Sequence, residues 1–107
     1  MNSDYLAYGA HTYTPNAADV ADPLAWPYHA RAEGLEGLIP HLIIVDELSP
    51  LRDEGLGYLR KLFHAEVRAS GCVIVGSPFG AAVSFRAAAP EMHMALVGQI
   101  LGCTRIV

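Results

Sequence analysis

Two short apolar runs and the helical spacing between them organise this chain. Leu42, Ile43, Ile44 and Val45 form a continuous stretch rich in β-branched side chains, the pattern of a strand covered on both faces, as in a parallel sheet. A second run, Cys72-Val73-Ile74-Val75, follows Ser70-Gly71 and is closed by Gly76-Ser77-Pro78. Between the runs, Leu51, Tyr58, Leu59, Leu62 and Phe63 keep to helical spacing, with Arg52, Arg60, Lys61 and Glu66 available for a wet side. Strand, helix and strand in this order predict a βαβ unit, whose crossover is right-handed and whose strands are parallel. The segment from about Ala81 to Ile100 is again mostly apolar, with Val83, Ala87, Met94, Val97 and Leu101 at helical intervals. Pro90 must break that pattern or open a new helix, so a short helix or turn is expected before it and a helix from Pro90 to Gly102. Residues 1–30 are the least regular, with a short helix over Tyr5 to Tyr13 and a loop over Thr14 to Asp22. The predicted fold is α/β: a short parallel sheet with two main strands near 41–47 and 71–76 and flanking helices. One domain is expected over 1–107, with a lead-in over 1–30 and a βαβα core over 31–107.

The start of the first long helix is well signalled. Ser49 stands where an N-cap belongs, Pro50 suits the first helical position, and Asp53 and Glu54 place negative charge at the positive end of the helix dipole. Gly55 and Gly57 weaken this helix by roughly 1 kcal/mol each relative to Ala, so it should depend on docking against the sheet.

Composition adds one expectation and removes several. In a chain of 107 residues, 52% hydrophobic and only 17% charged residues leave too few polar groups to cover a small domain, so apolar surface should stay exposed. A net charge of −4 without a basic cluster argues against nucleic acid and anionic membranes as partners. The longest apolar stretch, Met94 to Cys103, is too short for a bilayer span of about 20 residues. The N-terminus lacks the basic start and apolar core of a signal peptide, and Cys72 and Cys103 read as free thiols, which together point to the cytoplasm. His11, His29, His41, His64 and His93 are scattered without the paired spacing that zinc requires, so neither a metal nor a cofactor is expected. His93, late in the chain, is the one histidine placed to replace a general base, and a satisfied structural role is the simpler reading. Gly76, Ser77 and Gly80 lack the Lys-Ser/Thr that would make a phosphate loop and read as a turn. Trp26 and Tyr28, in a proline-rich stretch, are candidate substrate-pocket residues; the alternative is that Trp26 anchors an irregular connection to the core.

Four segments in order carry a family resemblance: Asp22-Pro23-Leu24-Ala25-Trp26-Pro27-Tyr28, Gly37-Leu38-Ile39-Pro40-His41, Glu47-Leu48-Ser49-Pro50-Leu51-Arg52-Asp53-Glu54-Gly55 and Phe85-Arg86-Ala87-Ala88-Ala89-Pro90-Glu91. Together they resemble the C-terminal part of an α/β-hydrolase of the hormone-sensitive-lipase-like esterase group, over roughly residues 5–100. That group uses a Ser-His-Asp triad with its serine on a Gly-x-Ser-x-Gly elbow. No such elbow occurs in these 107 residues. The resemblance puts the triad aspartate at Ser49, immediately before Pro-Leu-Arg-Asp-Glu-Gly, and the triad histidine at Phe79. A neutral hydroxyl does not stabilise an imidazolium as a carboxylate does, and a phenyl ring exchanges no proton. Asp46, Glu47, Asp53 and Glu54 flank the lost acid, but strand alternation and the helix start should point them elsewhere.

The resemblance also implies a larger sheet, of which this chain keeps two strands, leaving an open edge beside His41 to Val45 and an uncovered face. A homodimer or a hydrolase partner chain through that exposed edge is expected, and the resemblance suggests Cys72 to Val75 and the helix after Pro90 as a dimer surface. Three functions follow. The first is an esterase-like remnant that is catalytically inactive as this chain. The second is an interaction or ligand-binding module that self-associates or pairs with a hydrolase subunit. The third is a carboxylic ester hydrolase with an atypical or partner-completed site.

Overall fold

The computed structural model describes residues 3–106, as helices, short 3-10 turns and a two-stranded sheet. Helix α1 spans Ser3–Tyr13, and an irregular stretch with 3-10 turns at Ala17–Asp19 and Pro27–His29 leads to a single helical turn, α2, Ala32–Leu35. Strand β1 is His41–Asp46, helix α3 Arg52–His64 and strand β2 Ala69–Ile74; α4, Ala81–Ser84, and α5, Pro90–Ile106, complete the chain. The strands are parallel, with His41 paired to Ala69 and Asp46 to Ile74.

Helix α3 covers one face of this sheet. Its Leu59 and Leu62 are buried, and Leu62, with no exposed surface, joins Ala30, Leu35, Ala65 and Val67 in the core, packed against Ile43, Tyr58 and Ala69. The two glycines read as weak points in α3 have a packing role. A Cβ on Gly55 would stand 2.6 Å from Val45 Cγ1, and one on Gly57 would stand 3.0 Å from the Tyr28 ring. Their missing side chains let the helix settle onto the strand and onto the Pro27–His29 turn, where Lys61 Nζ donates to the Tyr28 carbonyl and lies over its ring. Lys61 is therefore half-buried rather than on a purely wet face.

Several expected boundaries move. Strand β2 begins at Ala69, upstream of the expected 71–76, because the parallel register with β1 recruits Ala69-Ser70-Gly71; Val75 lies outside it and is 74% exposed. Helix α3 starts at Arg52, not at Ser49 and Pro50. The Ser49 hydroxyl instead accepts the Leu51 N–H at 3.1 Å, closing a turn ahead of the helix, and the Arg52 N–H bonds the Ser49 carbonyl. Helix α5 continues four residues past Gly102, whose helical backbone no proline interrupts. The expectation that β1 is covered on both faces is only half met. All six of its residues are half-buried, and α5 lies across the second face loosely enough to leave a cleft of about 640 Å³.

Small buried volume and large surface go together here. The radius of gyration is 15.1 Å, against roughly 13 Å for a compact domain of this length. The shape is a slab, 40 × 36 × 17 Å, and its exposed apolar side chains include Leu24, Ile39, Val83, Phe85 and Met94, as the composition anticipates.

Candidate functional site

The carboxyl ends of β1 and β2 lie side by side, the end of a parallel sheet where ligand sites form. Each strand runs into a turn there, and backbone bonds join the turns: the Glu47 N–H donates to the Ile74 carbonyl and the Leu48 N–H to the Ser77 carbonyl, 3.1 and 3.0 Å. Ser49 lies on the first turn and Phe79 on the second, so the two positions singled out in the sequence belong to one stapled pair of loops. Arg52 Nη1 donates to the Glu47 carbonyl at 2.9 Å and ties the first turn to α3, while its Nε pairs with Asp53.

Asp46 departs from the sequence reading. Its carboxylate points into the second turn, where Oδ1 accepts the Ser77 hydroxyl at 2.7 Å and Oδ2 accepts the Gly80 N–H at 2.9 Å. Ser77 has no exposed surface, so its hydroxyl needs this partner. Gly80 has a φ of 68°, a left-handed conformation that a Cβ disfavours, and this turns its N–H back toward Asp46. The sequence reading missed this brace. The available signal was the parallel register, which brings the residue ending β1 to the same edge as the residues following β2.

The hydrogen bonds of these groups are contacts within the turns. The Ser49 oxygen accepts the Leu51 N–H, both Asp46 oxygens hold the second turn, and the Phe79 ring, 44% exposed, has no acid–base function. Glu54 lies at the mouth of a different cleft, and Asp53 pairs with Arg52, as suits the first turn of a helix. His93 Nδ1 donates to the Ala82 carbonyl at 2.9 Å and clips α5 to α4. His41 bonds the Ile39 carbonyl through Nδ1 and stacks edge-on to Tyr58. No group of three His, Cys, Asp or Glu side chains able to hold a metal ion occurs among the described residues.

Trp26 and Tyr28 border a 460 Å³ cleft with His11, Thr14, His29 and Glu54. Both side chains are also held structurally: Trp26 Nε1 donates to Thr14 Oγ1 at 3.1 Å and its ring meets Tyr13 edge-on, while the Tyr28 ring lies under Lys61. The larger cleft, under α5, opens at the opposite end of the sheet from Ser49 and Phe79, among His41, Arg68, Ser70, Gln99 and Cys103.

Comparison with known proteins places this arrangement. The profile of the alpha/beta hydrolase fold matches residues 1–83. No curated protein sequence matches significantly. Among solved structures, the chain is similar to brefeldin A esterase, a bacterial homologue of human hormone-sensitive lipase. Identity is 39% and the TM-score 0.83, over 86% of this chain and 26% of that one. Esterase Est22 is 36% identical with a TM-score of 0.84, over 91% of this chain and 29% of that one. A thermostable esterase from Pseudomonas putida is 31% identical with a TM-score of 0.66, over 70% and 24%. The chain therefore spans about a quarter of the length of the esterases it matches. With a parallel βαβ unit, the Pro-Leu-Arg-Asp-Glu-Gly helix start and these similarities in agreement, the chain belongs to the alpha/beta hydrolase fold family.

Proposed function

We propose that this chain is an esterase-like scaffold without catalysis of its own: the part of a hydrolase sheet that would carry acid and base, kept with neither. One observation carries the reading. On the two stapled turns, the position that the resemblance gives to the acid holds a serine accepting the Leu51 N–H and the position that it gives to the base holds Phe79, while the Asp46 carboxylate accepts from Ser77 and Gly80. A neutral hydroxyl does not stabilise an imidazolium as a carboxylate does, and no imidazole is present on either turn for it to orient. Trp26 and Tyr28 act in this reading as anchors of the connecting segment. Free Cys72 and Cys103 suit a reducing, cytoplasmic setting.

The purified chain, assayed with a short-chain nitrophenyl ester, should show turnover no faster than buffer. The double change Ser49→Asp/Phe79→His should leave that unchanged, because these residues offer no serine elbow to activate. Turnover by the unaltered chain that one specific substitution abolishes would refute the reading.

A second reading, an interaction module, is favoured by the surface. The chain exposes 7518 Å², about 1,700 Å² more than the roughly 5,800 Å² of a compact protein of its mass. A homodimer or a hydrolase subunit covering that surface is compatible with the loss of catalysis.

A further inference from the structure

Strand β1 has one partner among the described residues, and its other edge is unpaired. The direction of that edge follows from the ladder. The His41 N–H bonds the Arg68 carbonyl and the Glu47 N–H bonds the Ile74 carbonyl, so the odd-numbered residues of β1 turn their backbone groups toward β2. Leu42 and Ile44 therefore turn theirs outward. Between His41 and Asp46 this edge carries only Leu, Ile, Ile and Val, with no lysine, proline or bulge to discourage pairing.

We propose that this edge is the interface of an isologous dimer, in which β1 of two copies pair antiparallel about a two-fold axis at Ile43. The sheet becomes four-stranded, in the order β2-β1-β1-β2. Only antiparallel registers that set even residues against even residues join the outward groups. Centred on Ile43, the pairing sets Leu42 against Ile44 of the second copy, and the N–H and C=O groups of these residues form four backbone bonds across the axis. Ile43 meets its own counterpart on the face covered by α3. Moving the centre to Ile44 would instead set Asp46, whose carboxylate holds the second turn, against Leu42. The chosen register also brings the exposed Leu48 to the same end of the pair as the exposed Leu38 and Ile39 of the second copy.

The surface is sufficient. A standard interface buries about 800 Å² on each partner, well within the excess of about 1,700 Å² that this chain exposes. The outer edge of β2 is a poorer template, since its outward residues are Ala69, Gly71 and Val73, and glycine weakens a strand. The pairing does not depend on the absence of catalysis, which the ester assay tests separately.

Light scattering of the purified chain at tens of micromolar should give twice its mass of 11.5 kDa. Ile44→Pro removes an outward N–H that β2 does not use, so the intramolecular ladder survives while the dimer dissociation constant rises at least tenfold. In a Cys72→Ser/Cys103→Ser background, Ile43→Cys should form an interchain disulfide on mild oxidation. Facing residues of a non-hydrogen-bonded antiparallel pair have Cα atoms about 4.5 Å apart, within disulfide range. Ile44→Cys in the same background should cross-link at least tenfold less. A monomer mass for the unaltered chain overturns the proposal without any variant. A dimer indifferent to Ile44→Pro, or one that cross-links no better through position 43 than through 44, also overturns it by moving the interface elsewhere.

Discussion

Replacing Asp46 with alanine tests whether the two turns are held together as the geometry implies. The substitution removes both acceptors of the second turn at once, leaving the Ser77 hydroxyl and the Gly80 N–H without their partner. Hydrogen bonds to a charged acceptor contribute about 1.5–3 kcal/mol each. Two losses do not simply add here. Asp46 is half-buried, so water can reach the vacated position, and Ser77 Oγ has a weaker alternative in the Pro78 carbonyl at 3.3 Å. The expected cost is about 2–3 kcal/mol, which moves a urea midpoint by roughly 1–2 M for a slope of about 1.5 kcal/mol per molar. Asp46→Asn should cost about 1 kcal/mol, because its carbonyl can still accept the Gly80 N–H while its amide donates to the serine oxygen. Ser77→Ala made in the Asp46→Ala background should add less than it does alone, with a coupling of about 1–2 kcal/mol in the double-mutant cycle. Urea melts of the four proteins, followed by circular dichroism, supply the numbers. If Asp46→Ala stays within about 0.5 kcal/mol of the parent, or the cycle shows no coupling, the carboxylate is not bracing the turn.

The glycines supply a contrast within one fold. Gly55→Ala should destabilise by about 1–3 kcal/mol despite the better helix propensity of alanine, because its Cβ would meet Val45 at 2.6 Å. Gly98→Ala, on α5 with nothing within 4 Å of the added carbon, should stabilise by about 0.5–1 kcal/mol; thermal melts of the pair read both signs. Thr14→Val should cost about 1 kcal/mol by leaving Trp26 Nε1 unpartnered, whereas Thr14→Ser should restore the parent value. Since Trp26 is the chain's one tryptophan, its fluorescence during unfolding reports that segment directly.

The main elements were legible because their signals are local. The runs Leu42 to Val45 and Cys72 to Val75 announce strands, the spacing from Leu51 to Phe63 announces the helix between them, and Pro90 marks where α5 begins. A βαβ order then implies a parallel pair without knowledge of any contact. The Pro-Leu-Arg-Asp-Glu-Gly element likewise located Ser49, and the loop Gly76 to Gly80 located Phe79, on strand-end turns. Boundaries were less legible. Ala69-Ser70-Gly71 has no strand propensity of its own and joins β2 only because β1 lies alongside, while Ser49 caps a turn three residues before the first residue of the helix because the chain leaving β1 must first change direction.

Sequence alone thus determined the order and type of the elements, the excess of apolar side chains, and, through the resemblance, the two positions, Ser49 and Phe79, on which the proposed function turns. Tertiary structure decided what no linear pattern contains. Gly55 is a contact point and not merely a weak helix residue, because Val45 lies opposite it. Asp46 braces the turn bearing Phe79 because a residue 31 positions away, Ser77, is buried within reach of its carboxylate. The outward direction of the Leu42 and Ile44 backbone groups follows from which residues bond β2. The physical reason is range: propensity and periodicity act over a few residues, whereas close approach, polar satisfaction and edge polarity depend on segments that meet only when the chain has folded.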